Sequence, residues 1–521
     1  MSTETGRSVR RHMILATLTI AGVAALGAPA HAGAAFGSGA PGFVNYQSPL
    51  APPSSNEPSI GVDWSTGAVM YQAAQKTDKV IFDDSTTPAT ATWTDVTNPT
   101  AVTTLDPILF TDKDTNRTFE SQLLVACSDM GYSDNDGGLW VQSQGCGLHG
   151  AEDHQTVGGG PFHAPVPTPP APAYPHAVYY CSQDFANGTA AFCSLSADGG
   201  ITFGQPAVVY NFQTCGGLHG HLRVSPDGTA YLPNQGCFTD SSIVDPKGDQ
   251  FSKQSVAVSS DDGATWTVLP IPDSRATYYS DPSVAAGSGN TVYFGYENGG
   301  TDGAGHTVPS AGGGHPMVAV SQSHGTTWSP SIDVGQTLTL PNGTTTPLGI
   351  QNTAFPDVIA GDDNRAAFAF LGSKTGGDYQ ASTFTGTWDL YVSMTYDGGA
   401  TWTTVDATPG NPVQRGCIWL QGGSSPCRNM LDFNDLTVDK AGRVLAAYTK
   451  GCTGACTTDP AATNPHSAIP YIARQSDGIG LFANPGTPIP ESRSLPLLIL
   501  LGLVAAIVPA RWRRLRRLRT G

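Results

Sequence analysis

Acidic residues recur just ahead of apolar, alternating segments along the whole chain: Glu57, Asp106, Asp153, Asp281, Asp357 and Asp435. His154 follows the third of these, and His219 and His221 hold the corresponding place in a further segment. Carboxyl groups gathered from several segments can divide acid and base roles, or hold a hard cation through oxygen. They can equally cap strand starts by accepting local N–H bonds. The stretches Cys146-Gly-Leu-His149-Gly and Cys215-Gly-Gly-Leu-His219-Gly-His221 echo each other, which fits a repeated loop. There are no CxxC pairs and no HExxH, so no metal-ligating set is assigned. Nor is there a phosphate loop, a Gly-x-Ser-x-Gly elbow or a nucleotide fingerprint. The formal net charge of −16 speaks against a nucleic-acid partner.

The elements that must position these residues are strands. Of 521 residues, 62 are Gly and 40 Pro, and only 13% are charged, which argues against helical bundles and coiled coils. With 9 Trp, 17 Tyr and 19 Phe the chain can fill a large core. An eight-residue pattern recurs: Ser or Thr, any, Asp, any, Gly, any, any, aromatic. Copies begin at Ser133, Ser196, Ser259, Ser321 and Thr395, with Asn135, Asp198, Asp261, Ser323 and Asp397 at the third place. The pattern describes a tight hairpin whose Asp accepts backbone N–H bonds and whose Gly takes a positive φ. Seven acidic or polar strand starts, each followed by period-2 segments and turns, predict an all-β propeller of four-stranded blades, seven in number with six as the alternative. The recurring turn joins the third and fourth strands. The acids at the innermost strand starts then fall on the opposite face and ring the channel mouth, where Glu57, Asp106, Asp153, His154, His221, Asp281, Asp357 and Asp435 are the expected binding residues.

The recurring turn resembles the Asp box of the sialidase (BNR-repeat) family, over roughly residues 43–485. In that family the box is structural. The resemblance implies exo-α-sialidase activity on a terminal sialic acid or related glycan, with three arginines on a carboxylate, a Tyr nucleophile activated by Glu and an Asp acid/base. Arg275, Arg415, Arg428, Glu297 and Tyr279 are the residues of this chain that could fill such roles. Two features depart from the family: it has six blades, and its Phe/Tyr-Arg-Ile-Pro motif is absent here. The alternative is a non-catalytic extracellular propeller that binds a glycan, a protein or a cation. No cofactor is required by either reading, and Ca2+ is the one ion left open.

Both ends read as addresses. Residues 1–32 have the form of an export signal, with Arg7, Arg10 and Arg11 ahead of an apolar stretch and Ala30-His-Ala32 as the cleavage site. Residues 33–485 form the propeller, and 486–494 a Pro-rich linker. An apolar run at 495–510 precedes the Arg-rich tail 511–521, as in a single-span anchor or an exosortase-type sorting signal. A monomer held at the cell surface through this segment is expected. The ten cysteines fall in sequential pairs expected as disulfides: Cys127/Cys146, Cys181/Cys193, Cys215/Cys237, Cys417/Cys427 and Cys452/Cys456. Finally, Gly42–Gln47 alternates apolar with polar and is expected to pair into the seventh blade and close the ring.

Overall fold

The computed structural model describes residues 40–483, apart from 52–54, 105, 125–126, 146–147, 150–151, 166–172, 185–189, 240–250, 278, 300–313 and 463. The export signal, linker, apolar run and Arg-rich tail lie outside the described residues, as does Cys146.

Seven four-stranded antiparallel sheets follow one another along the chain. Their innermost strands are Ser59–Val62, Pro107–Thr111, Glu152–Pro161, Arg223–Val224, Ser283–Ala286, Asn352–Ala360 and Asp435–Val438, and they number the blades 1 to 7. Middle strands are buried on both faces because each sheet is sandwiched between two others. Ala366–Ser373 of blade 6, with the sequence AAFAFLGS, is buried throughout. Outer strands meet solvent and alternate, as Thr90–Asp95 does with the sequence TATWTD.

Successive inner strands are tied by one recurring contact. Ser59 Oγ accepts the Leu109 N–H at 2.9 Å, Thr156 Oγ1 that of Leu222 at 3.2 Å, and Ser283 Oγ that of Val358 at 3.0 Å. Asp357 Oδ2 accepts from Leu436 N at 2.6 Å, and Asp435 Oδ2 from Ile60 N at 2.9 Å. The last of these joins blade 7 to blade 1. The ring is fastened a second time at its rim. Gly42–Gln47 is the outermost strand of blade 7, antiparallel to Ile469–Asp477, as the unpaired edge required. Residues 479–482 add no strand. They run as a strap over the turn face, where Leu481 exchanges backbone bonds with Gly442 and Asp362 and Phe482 meets the Trp64 ring edge-on.

All five recurring turns share one set of bonds. The first-place hydroxyl accepts the Gly N–H at 2.8–2.9 Å, at Gly137, Gly200, Gly263, Gly325 and Gly399. The third-place side chain accepts from the residue four further on: Asn135 from Leu139, Asp198 from Thr202, Asp261 from Thr265, Ser323 from Thr327 and Asp397 from Thr401. Gly399 has φ +89°, and a Cβ there would lie 2.6 Å from Val320 of the preceding blade. The turn therefore both reverses the chain and lets adjacent sheets approach.

Four disulfides, Cys181–Cys193, Cys215–Cys237, Cys417–Cys427 and Cys452–Cys456, pair the cysteines as expected. Cys127 is bonded too, and no described cysteine is free. Such a set belongs to a chain folded in an oxidising, extracellular-type environment.

Candidate functional site at the channel mouth

Inner strands run from the mouth toward the turn face. Arg117, in the first hairpin of blade 2, makes a two-point contact with Asp134 in the third hairpin of the same blade, so those hairpins share that face. The mouth ends of the inner strands lie opposite. Because side chains alternate along a strand, residues two apart line the channel in successive layers. The tying position is held by Ser59, Ile108, Thr156, His221, Ser283, Asp357 and Asp435. Two residues nearer the mouth stand Glu57, Asp106, His154, His219, Asp281, Phe355 and Phe433.

This register sorts the expected binding residues into two groups. His221, Asp357 and Asp435 belong to the deeper layer, where their bonding is internal. Asp435 takes Ser59 Oγ and Ile60 N on one oxygen and Leu436 N on the other. Arg223 of blade 4 reaches across the axis to the same carboxylate at 3.1 Å, forming a floor to the mouth. Burial works against ionisation of Asp435, but His221 at 3.9 Å and Arg223 outweigh it and hold the carboxyl at about 2. Asp357 lacks so close a cation. Burial and the Asp435 charge push it up to about 7.

Above this floor, Glu57, Asp106, His154 and Asp281 converge from blades 1, 2, 3 and 5. They are joined by Arg428 and Asp432 from the segment leading into blade 7. Arg428 grips Asp432 through two bonds of 2.6 Å, and His154 Nε2 lies 2.7 Å from Asp281 Oδ2. Burial disfavours the His154 imidazolium, yet the Asp281 charge lifts it to about 10. Glu57 Oε1 accepts the Asp432 N–H at 3.1 Å. One carboxylate oxygen each from Glu57, Asp106 and Asp432 lie within 4.8 Å of one another. Burial, with help from the neighbouring acids, raises Glu57 well above the usual carboxyl range and Asp106 to about 7. His219, fully buried, stacks edge-on against His154, and burial drives its protonation well below the usual value. The backbone is held at positive φ at Glu57 (49°), His154 (52°), Phe355 (53°) and Leu431 (57°). These are four of the twelve described non-glycine residues at positive φ, others of which, Asp136, Asp262 and His324 among them, lie in the recurring turns.

Asp153, between the layers, accepts the N–H of His154 at 2.8 Å and stays local. The residues singled out for sialidase-type roles are brought only partly together. Glu297 is fully buried beside Tyr379, whose hydroxyl donates to Glu297 Oε2 at 3.4 Å, and the Tyr279 ring packs edge-on against Tyr379. The three arginines hold different partners. Arg428 binds Asp432. Arg415 donates to Cys456 O and Thr387 Oγ1, and the backbone N–H of Arg275 is bound by Asn298. Sequence reasoning passed over Asp432 and Tyr379. Asp432 lies one residue out of step with the other strand starts, and the signal for it was its i,i+4 spacing from Arg428. Tyr379 sits in a loop without a repeating neighbour.

No protein-family model matches the sequence, and no curated protein matches it. Among solved structures the chain is similar to an ulvan lyase, with 10% identity over 83% of this chain and 94% of that one and a TM-score of 0.43. It is similar to the Trypanosoma rangeli sialidase bound to the inhibitor DANA at 12% identity and a TM-score of 0.36, over 82% of this chain, and spans only 59% of that protein's length. An α-L-arabinofuranosidase of Fusarium graminearum is 12% identical over 64% of this chain and 93% of its own, with a TM-score of 0.38. The resemblance drawn from the repeats holds at the level of fold, as a propeller of seven blades.

Proposed function

We propose that this chain is an exported, surface-held, glycan-active propeller that works at its channel mouth as an exo-acting glycoside hydrolase. The observation that carries the reading is the convergence of Glu57, Asp106, His154, Asp281, Arg428 and Asp432 above the Arg223–Asp435 pair. Glycosidic cleavage needs an acid that keeps its proton near neutral pH, and Glu57 and Asp106, raised chiefly by burial beside the paired Asp281 and Asp432, are suited to that role. The Arg223–Asp435 pair crosses the channel beneath these residues, which suits a chain end better than a chain's middle. Sialic acid is the substrate named by the sequence resemblance. Such a substrate needs cations for its carboxylate, and the two at the mouth are already paired with acids.

That pairing favours, as a second reading, a propeller that binds glycan without cleaving it. Purified protein incubated with a panel of fluorogenic glycosides, a sialoside and neutral sugars among them, with and without CaCl2, separates the two. Hydrolysis abolished by Asp106→Asn supports the enzyme. Glycan-array binding without turnover of any glycoside supports the binding module. Neither binding nor turnover defeats both. The chain leaves the propeller from its turn face, past the strap at 479–482, so an anchor at 495–510 would display the mouth outward.

A further inference from the structure

We propose that Glu57, Asp106 and Asp432 form a binding site for a hard divalent cation of the calcium class. It rests on the mouth being the working face, but metal binding is measured without any glycan, so it fails or stands separately. Three neighbouring blades supply the site: blade 1 gives Glu57, blade 2 Asp106, and the segment before blade 7 Asp432, with one oxygen from each inside 4.8 Å. Glu57 is fully buried, and while its Oε1 accepts the Asp432 N–H, its Oε2 has no hydrogen-bond partner. A buried carboxylate oxygen without a donor is costly unless something positive meets it. The neighbouring deep-layer acid shows the contrast, since both oxygens of Asp435 are occupied by N–H or O–H donors.

Ion pairing and ligand type choose the ion. Arg428 bonds Asp432 and His154 bonds Asp281, so among the described residues Glu57 and Asp106 are the two acids of the cluster with no ion-pair partner of their own, and one divalent ion would take the place of their protons. The donors are all oxygen, and the nearest imidazole, His154, is committed to Asp281, which favours Ca2+ over Zn2+. The site lies at the junction of blades 1, 2 and 7, beside the place where the ring closes.

Full-length protein stripped with a chelator and titrated calorimetrically with CaCl2 should bind one ion per chain, and its melting temperature should rise with CaCl2 concentration. Glu57→Gln and Asp106→Asn should each weaken binding about tenfold or more. Asp114→Asn tests the other acid and histidine grouping, Asp112, Asp114 and His176 on the turn face, and should leave binding unchanged. The melting rise in unaltered protein needs no variant, so a misfolded mutant does not shield the proposal. No bound calcium, loss of binding on Asp114→Asn, or tighter binding of ZnCl2 than of CaCl2 overturns it.

Discussion

Asp357 and Asp435 occupy the same register position in adjacent blades, yet their protonation is driven in opposite directions. The difference is that His221 and the bonded Arg223 both favour the charged form of Asp435, while Arg223 acts on Asp357 only from a distance. Removing Arg223 leaves two buried carboxyls facing each other without the bonded guanidinium. Arg223→Ala should therefore cost about 3 kcal/mol in urea unfolding, and Arg223→Lys clearly less. Equal stability of the alanine variant would show that the floor is held by the backbone bonds to Asp435 alone. At this scale the sequence was only partly legible. It marked acids and histidines at strand starts but not their register: Glu57 and Asp435 look alike in the chain and stand in different layers. Arg428 could be picked out as a cation near the mouth, while its capture by Asp432 depends on a loop path that no periodicity encodes.

Hairpins and strands were the most legible elements, because the Ser-x-Asp-x-Gly turn and the period-2 pattern are both local. The Gly of that turn also does a non-local job by admitting the neighbouring sheet. Gly399→Ala combines a positive φ with a Cβ 2.6 Å from Val320, and should lower stability by about 1–3 kcal/mol, read as a fall in melting temperature. A neutral result would mean the sheets can part at no cost. The closing strand was legible for another reason, since an unpaired edge in blade 7 demanded a partner. Asn45 donates to Ala407 O and accepts from Tyr448 Oη, tying that strand to blades 6 and 7 together. Deleting residues 33–48 should lower the melting temperature by several degrees and promote aggregation through the bared edge. A truncated chain that melts and elutes like the full one would show that the strand is dispensable. The ties between inner strands, made at Ser59-Ile, Thr156-Val, Ser283-Val, Asp357-Val and Asp435-Leu, carry no local pattern of their own and emerge only where two blades lie side by side.

Across the whole molecule, burial of acids should shape the response to pH. Asp78 is pushed up to about 6, and Glu120 and Asp357 to about 7, each chiefly by burial. Such groups carry a proton when folded and lose it on unfolding above about pH 4, so the folded state binds more protons between about pH 4 and 7. Their stabilising contribution is complete below about pH 4 and is lost as pH rises through 6 to 7. Asp435, held at about 2, acts in the opposite sense and loses its contribution only as pH falls from about 4 toward 2. Melting temperature in a chelating buffer should accordingly be higher at pH 5 than at pH 8. Glu120→Gln, which removes one of these protons from the balance, should narrow the gap. A melting temperature that climbs from pH 5 to pH 8 would reverse the argument.

Closure by the first and last strands also sets a schedule. Gln47 and its neighbour Tyr471 are 424 residues apart. At ribosomal speeds of roughly 5–20 residues per second, the first strand waits roughly 20–80 seconds for its partner to be made. During that interval Gly42–Gln47 has no edge to join, and the polar Asn45 and Gln47 break up its apolar face. No nascent chain shorter than about residue 477 contains the ring in closed form, however many blades have already condensed. Completion of this fold therefore waits for the last strand of blade 7, and a chain stalled or clipped before it presents the same open edge on every copy.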